Sequence, residues 1–336
     1  MNKSNLNYKY TLICPTVDRH TYLSRGINYW SKLPYKLIYV DGTLKEFPYD
    51  KFRKDNVEYI HMPGASYSDR VIKAMDYLET NYVSMVCDDE FYLPKAINKC
   101  IEFLEENSDY NTAMGYPLGF SRSKGFKKDL SYSYIYPNIA DRCLSHPNPN
   151  TRLKSHFGCY EQCHLYAINR SDSFKKNMLL TQQLQKEIEV RALGELTFEF
   201  LMCASGKSIV LPYLYWLRCQ DVPPHKNWQY GNGDVETRPT SFEDWWITKQ
   251  EDVGCNPIEF CKKLERSDTN SLNQLEIEKI WNIFSSYRES FYPVPLFLKL
   301  LTKFSSLNAI KIMAFKGIDY SKDEFNNFKE SVLSYS

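Results

Sequence analysis

Short apolar runs that stop at a turn residue and hand over to amphipathic stretches fill the first hundred residues. That alternation narrows the fold more than any other feature of the chain. Residues 10–14 (YTLIC) stop at Pro15, and 16–30 carry helical spacing. Residues 36–40 (KLIYV) run into Asp41-Gly42-Thr43, and 57–61 (VEYIH) into Pro63-Gly64. Residues 68–80 place Val71, Ile72, Met75 and Leu78 on one helical stripe; 82–86 (YVSMV) form a fourth apolar run, and 93–105 a further amphipathic helix. Strands without polar alternation suit a sheet covered on both faces. The order strand, helix, strand, strand, helix, strand, helix predicts an α/β fold with a mainly parallel sheet flanked by helices. Ligands of such sheets gather at the carboxyl ends of the strands, where Asp41 and the triplet Asp88, Asp89 and Glu90 fall.

Beyond residue 105 the pattern loosens. Residues 118–150 mix Gly119, Gly125, Pro137, Pro147 and Pro149 with Ser, Lys and Tyr, and read as long loops. Residues 162–169 (QCHLYAIN) return to strand, 173–205 read as helix interrupted at Gly194, and 209–218 lead through Trp216 to Arg218 as strand or turn. Residues 221–240 have the composition of a mobile loop, and 241–336 read as a helical carboxyl-terminal region, leaving 1–220 as the catalytic or binding unit. At 336 residues with 43% hydrophobic content the chain can bury a substantial core.

Lys+Arg 42 against Asp+Glu 41, a net charge of +1, removes the footprint of a general nucleic-acid binder. No apolar run is long enough to span a bilayer and the first residues do not resemble a signal peptide, so a cytoplasmic protein is expected. Ten cysteines in such a compartment are expected to be reduced thiols. His156, Cys159, Cys163 and His164 cluster in sequence, but their spacing matches no common zinc pattern. Adjacent residues on a strand also point to opposite faces.

The sharpest chemical signal is residues 82–92, YVSMVCDDEFY. Three adjacent acids at the rim of a buried strand repel one another and are costly unless something cationic binds them. Mg²⁺ or Mn²⁺ carrying a diphosphate removes that cost, because such ions take oxygen ligands from one or two carboxylates and the rest from phosphates and water. A solvated acidic turn ahead of the following helix is the bland alternative.

Residues 10–218 resemble a GT-A glycosyltransferase, nearest to the inverting family 2. TLICPTVDRHTYL resembles that family's first strand and turn, KLIYVDGT its second strand ending in an acid that contacts the nucleoside, and YVSMVCDDEF its metal-binding Asp-x-Asp strand. LGELTFEFLMCASGKSIVLPYLYWLR resembles its later helix, which opens Gly-Glu-Asp and leads through a strand to Arg. The resemblance implies a Rossmann-like GT-A sheet with a helical carboxyl-terminal extension, and an inverting, metal-dependent transfer from a nucleotide-diphosphate sugar. Its acceptor would be a carbohydrate, a lipid-linked or a protein-linked hydroxyl, as in bacterial surface polysaccharide synthesis.

It assigns Asp89 as metal ligand with Glu90 assisting, and Pro15, Thr16, Arg19, Asp41, Arg70 and Asp88 to the nucleotide. The family's base is the Asp of its Glu-Asp pair; this chain reads Glu195-Leu196, so Glu195 is the candidate base with Glu199 in reserve. Asp41 can equally be an Asp-Gly turn, and Arg70 can equally pair with Asp69 or Asp76. His225, beside Trp228 and Tyr230, falls where such enzymes place a closing loop and sometimes a further metal ligand. Residues 290–318 carry four lysines and no acid among leucines and phenylalanines. They are either a surface resting on anionic lipid or an ordinary packed helix pair. A nucleotidyltransferase ranks below the transferase because no Gly-rich phosphate loop is present, and a noncatalytic nucleotide-sugar-binding module is the third reading.

Overall fold

The computed structural model describes residues 8–122, 129–136, 139, 143–161, 163–187, 191–221, 257–267, 273–289 and 317–334. His225, Trp228, Tyr230, the 221–240 loop beyond Asp221, and 290–316 lie outside the described residues.

The apolar runs become the strands expected of them. β1 (Tyr10–Thr16), β2 (Lys36–Asp41), β3 (Val57–His61) and β4 (Tyr82–Met85) pair in parallel in the order β3-β2-β1-β4. Helices α1 (His20–Trp30) and α2 (Tyr67–Ala74) make the crossovers that parallel pairing demands. Within these strands side chains alternate between two cores. Leu12, Cys14, Leu37 and Tyr39 join one apolar cluster, while Ile13, Ile38, Val40 and Val83 join another on the opposite face. This period of two explains why the runs are apolar throughout: each face has its own cover.

Helix starts follow local chemistry. The Ser66 hydroxyl accepts from the Asp69 backbone N–H (3.1 Å) at the head of α2. α3 (Pro94–Glu106) opens on proline, which lacks the N–H that a first turn leaves unused. A second cap comes from far away: both carboxylate oxygens of Glu324 accept from the Lys95 N–H at 3.0 Å.

The second half departs from expectation in three places. Where loops were expected from residue 118, β6 (Tyr110–Arg122) continues, followed by β7 (Leu130–Ser133) and β8 (Cys143–Leu144). Gly115, Pro117 and Gly119 disguise β6, yet it runs parallel to β10 (Lys207–Cys219) in the middle of the sheet. The expected strand at 162–169 shrinks to β9 (Ile168–Arg170), which inserts antiparallel between β4 and β6 and leaves 164–166 as a turn. The expected interruption at Gly194 is not there: the described residues give α5 (Ser171–Glu187) and α6 (Arg191–Ser205), and Gly194 lies within α6. With the short β5 (Phe91–Tyr92) against β10, the ten-stranded sheet is mixed, parallel at β1–β4 and between β6 and β10.

Helices from the carboxyl-terminal region join two different cores. Pro257–Ser267 and Gln274–Glu289 pack Phe260, Leu264, Trp281 and Phe284 against α4 (Pro149–Phe157) and α6. Lys322–Ser334 buries Phe328 between Phe91 (ring centroids 5.3 Å) and Phe120 (5.0 Å) on the main sheet. No described helix is long and apolar enough to cross a membrane.

Candidate active site

Parallel pairing brings the carboxyl ends of β1, β2 and β4 to one edge of the sheet, and with them Thr16, Asp41 and the acid triplet. Val86 is buried and Asp88 and Asp89 form a turn before β5, so the three carboxylates are drawn into the protein: Asp88 is 8%, Asp89 9% and Glu90 4% exposed. A solvated acidic turn is therefore the wrong description.

The cationic partner expected of this triplet is supplied in part by the chain itself. Arg19 spans two acids, with Nε 2.7 Å from Asp88 Oδ1 and Nη2 donating to Asp89 Oδ2 at 2.7 Å. The Thr16 hydroxyl donates to Asp88 Oδ2 (2.6 Å). Glu90 accepts from the Trp216 indole N–H (2.9 Å), and the Arg218 Nε lies 3.4 Å from its other oxygen. Burial still outweighs these partners. It lifts Asp88 to about 6 and Glu90 to about 8, with Arg19 and Arg218 respectively pulling the other way and the Asp89 charge adding to the rise. Arg25 also belongs here: it is 1% exposed, its guanidinium lies 5.1 Å from the Phe91 ring, and Asp89 acts on its charge.

Two residues assigned to the nucleotide have structural employment. Asp41 is fully buried and closes an Asx turn, accepting from the Thr43 N–H (2.9 Å) and hydroxyl. Its other oxygen accepts from the Tyr59 hydroxyl (2.9 Å) and lies 3.0 Å from His20 Nε2. Arg70 does not pair with Asp76, which pairs with Lys73; its Nη1 donates to the Thr16 carbonyl and its side chain lies across Gly42. A Cβ at Gly42 would stand 3.0 Å from Arg70 Cδ and Nε, so a larger residue there forces the brace to shift. Pro15 lies within β1 and is half-buried. Asp18, at the following turn, has a φ of 55° and donates its N–H to the Thr43 hydroxyl.

On α6 the two acids separate sharply despite sharing a helical face. Glu195 is exposed and accepts from the Tyr160 hydroxyl (3.1 Å). Glu195 and Glu90 both act electrostatically on the Tyr166 phenol, whose hydroxyl lies 3.6 Å from Cys87 Sγ. Glu199 is fully buried one turn on, and the role of reserve base does not fit that position. Its Oε1 accepts from the Cys163 and Leu165 N–H groups (3.1 and 3.2 Å), and its Oε2 meets His156 Nε2 (3.0 Å) and His164 Nδ1 (2.7 Å). Burial alone would raise Glu199; the two imidazoles hold it well below the usual carboxylate range. Burial opposes charge on His164, yet Cys163 and Glu199 raise its pKa to about 10.

The residues missed at the sequence level are Tyr166 and Trp216. Tyr166 stacks on Trp216 at 4.6 Å, its hydroxyl lies 3.6 Å from Cys87 Sγ, and Trp216 in turn holds Glu90. Trp216 has the full burial expected of a core residue, and only its N–H betrays the second role.

The sequence matches no family profile and no curated protein. Its fold matches solved structures of S. aureus TarS. The TarS 1–349 complex with UDP-GlcNAc aligns at TM-score 0.55 and 12% identity, covering 97% of this chain and 80% of that one. The UDP complex aligns at 0.50 and 13% over the same shares, and TarS 1–349 alone at 0.51 and 13%, covering 84% and 72%. The chain thus has a GT-A glycosyltransferase fold, a mixed α/β sheet flanked by helices.

Proposed function

We propose that this chain is an inverting glycosyltransferase that takes a sugar from a nucleoside-diphosphate donor and passes it to a hydroxyl acceptor. The observation that carries the reading is the buried triplet at the carboxyl end of β4, set beside two arginines in a fold whose solved neighbours include complexes with UDP-GlcNAc and UDP. Burying three carboxylates costs stability, and a cation-assisted diphosphate site is the chemistry that uses them.

The donor set fits a divalent ion of the Mn²⁺ or Mg²⁺ kind. Ligand atoms of Asp89 and Glu90 lie within 4.8 Å of one another, together with Cys87, and carboxylate oxygens suit such ions. Asp89 and Glu90 would hold it, and it would supply positive charge to the leaving diphosphate. Arg19, which pairs with Asp88 and Asp89, would turn to a phosphate oxygen of the donor if those carboxylates held a divalent ion. Glu195, exposed at the rim, takes the proton from the acceptor hydroxyl as that oxygen attacks the anomeric carbon. Tyr160 holds its carboxylate in place meanwhile.

UDP-GlcNAc is the first donor to try. Thermal-shift titration with UDP-GlcNAc, UDP-glucose, GDP- and CDP-sugars, with and without Mn²⁺, is expected to show Mn²⁺-dependent stabilisation by one of them. Asp89→Ala is expected to lose that stabilisation together with transfer. An Asp89→Ala protein that turns over donor at the wild-type rate refutes the assignment of the triplet. Donor binding without any hydrolysis or transfer at long times would make the chain a binding module instead.

A further inference from the structure

We infer that His156, Cys163, His164 and Glu199 form a structural zinc site, separate from the acid triplet and independent of the function proposed above. All four residues are buried, and one ligand atom from each lies within 4.8 Å of every other. Cys163 and His164 are neighbours in sequence, which on a strand would aim them apart. The turn at 164–166 bends them to the same side. Cys159 stays outside the group, and its place is taken by Glu199, which arrives from α6.

The donor spacings come close to the edges of a tetrahedron around zinc. Zinc bonds of about 2.0–2.1 Å to nitrogen, 2.0–2.2 Å to oxygen and 2.3 Å to sulfur require sulfur edges of roughly 3.5–3.6 Å and nitrogen–oxygen edges of roughly 3.3 Å. Cys163 Sγ lies 3.4 Å from His164 Nδ1 and 3.6 Å from Glu199 Oε2. The Glu199 Oε2 distances, 3.0 Å to His156 Nε2 and 2.7 Å to His164 Nδ1, are shorter because protons now hold these atoms together; opening them by about half an ångström admits the ion. Zinc would displace the Cys163 thiol proton and the protons bridging both imidazoles to the carboxylate.

The surroundings are those of a metal site. Glu199 Oε1 is pinned by two backbone N–H groups, which turns Oε2 toward the three other donors. The outer nitrogen of His164, Nε2, lies 3.2 Å from the Ser208 hydroxyl, the partner a ligating histidine needs to fix its ring and tautomer. Two imidazoles, a thiolate and a carboxylate favour zinc over Mg²⁺ or Mn²⁺, which prefer oxygen alone. The ion would tie α4, the 163–166 turn and α6 together. The turn carries Tyr166, and α6 carries Glu195 one turn from Glu199, so the pin would hold the rim of the candidate active site from behind.

Full-length protein purified without chelator and dialysed against metal-free buffer is expected to retain equimolar zinc by plasma mass spectrometry. After metal removal and reconstitution with Co²⁺, a near-ultraviolet thiolate charge-transfer band and intense visible bands of four-coordinate cobalt are expected. This spectrum needs no core substitution, and it should persist in Cys87→Ser, whose thiol adjoins the triplet. Zinc should fall to near zero in Cys163→Ser and in His164→Gln, and stay equimolar in Asp89→Ala. Absence of both retained zinc and the cobalt–thiolate band in wild-type protein overturns the proposal. So does zinc that survives both Cys163→Ser and His164→Gln in protein with native far-ultraviolet dichroism.

Discussion

Glu90 offers the most direct physical test of the site, because burial lifts it from 4.5 to about 8. A carboxyl whose folded pKa exceeds its unfolded value holds its proton more tightly in the native state. Its contribution to stability is therefore full below about pH 4.5 and is lost as pH rises toward about pH 8. At about 1.4 kcal/mol per pH unit, the difference between 4.5 and about 8 sets an upper bound of about 5 kcal/mol on the loss. Glu90→Gln keeps the shape and the acceptor for the Trp216 N–H but cannot ionise. Its amide faces Arg218 less well than a carboxylate does, a penalty that shifts the whole curve without giving it a slope. Urea unfolding of both proteins without added metal at pH 5, 6, 7 and 8 reads the Glu90 contribution together with its coupling to Asp88, whose charge adds to the Glu90 rise. The mutant is expected to gain on wild type by up to about 1.4 kcal/mol for each pH unit between 5 and 8. Parallel stability curves would refute the claim that Glu90 is buried and ionises only at a cost. Mn²⁺ at the triplet, which needs the ionised form, should rescue wild type increasingly over the same range and leave Glu90→Gln with less to gain.

Two further outcomes follow from other parts of the molecule. Glu195→Gln should leave UDP-sugar binding by thermal shift within a factor of about two and reduce transfer by about 10²–10⁴-fold, the usual worth of a positioned base; unchanged turnover removes Glu195 from the chemistry. Phe328→Ala empties a fully buried ring site between Phe91 and Phe120 and should cost about 3–5 kcal/mol in urea unfolding, whereas a loss below about 1 kcal/mol would mean that Lys322–Ser334 is not anchored there.

How much of this was legible depended on whether a signal was local. β1, β2 and β4 declare themselves as largely apolar runs, because both faces are covered; Gly42 follows the end of β2 and Gly64 comes soon after β3, while Pro15 lies inside β1. The triplet was legible for the same reason: charge next to a buried strand has no local excuse. β6 was hidden because Gly115, Pro117 and Gly119 read as loop in isolation, while their places are set by β10, which follows ninety residues later. The structural roles of Arg19 and Asp41 were half visible. Their positions at strand ends are sequence properties, but the bonds of Arg19 to Asp88 and Asp89 and of Asp41 to Thr43 and Tyr59 are not. Glu195 and Glu199 share a helical face and differ only in what meets them. No periodicity distinguishes an exposed carboxylate beside Tyr160 from a buried one beside two histidines. The His156 cluster does not read as a metal site in the sequence because its spacing matches no common pattern and because Cys163 and His164 read as strand neighbours facing apart; neither the turn at 164–166 nor the approach of Glu199 from α6 is a local signal.

The cap that Glu324 places on α3 spans 229 residues of sequence. A ribosome delivers β1 through β6 long before it delivers the helix that covers Phe91 and Phe120, so the nascent protein carries an uncovered aromatic face for most of its synthesis. Closure of the main core over Phe91 and Phe120 therefore waits for translation of Lys322–Ser334. Deleting Lys322–Ser334 should leave that aromatic face bare and drive the product into inclusion bodies, although the residues of the triplet are untouched.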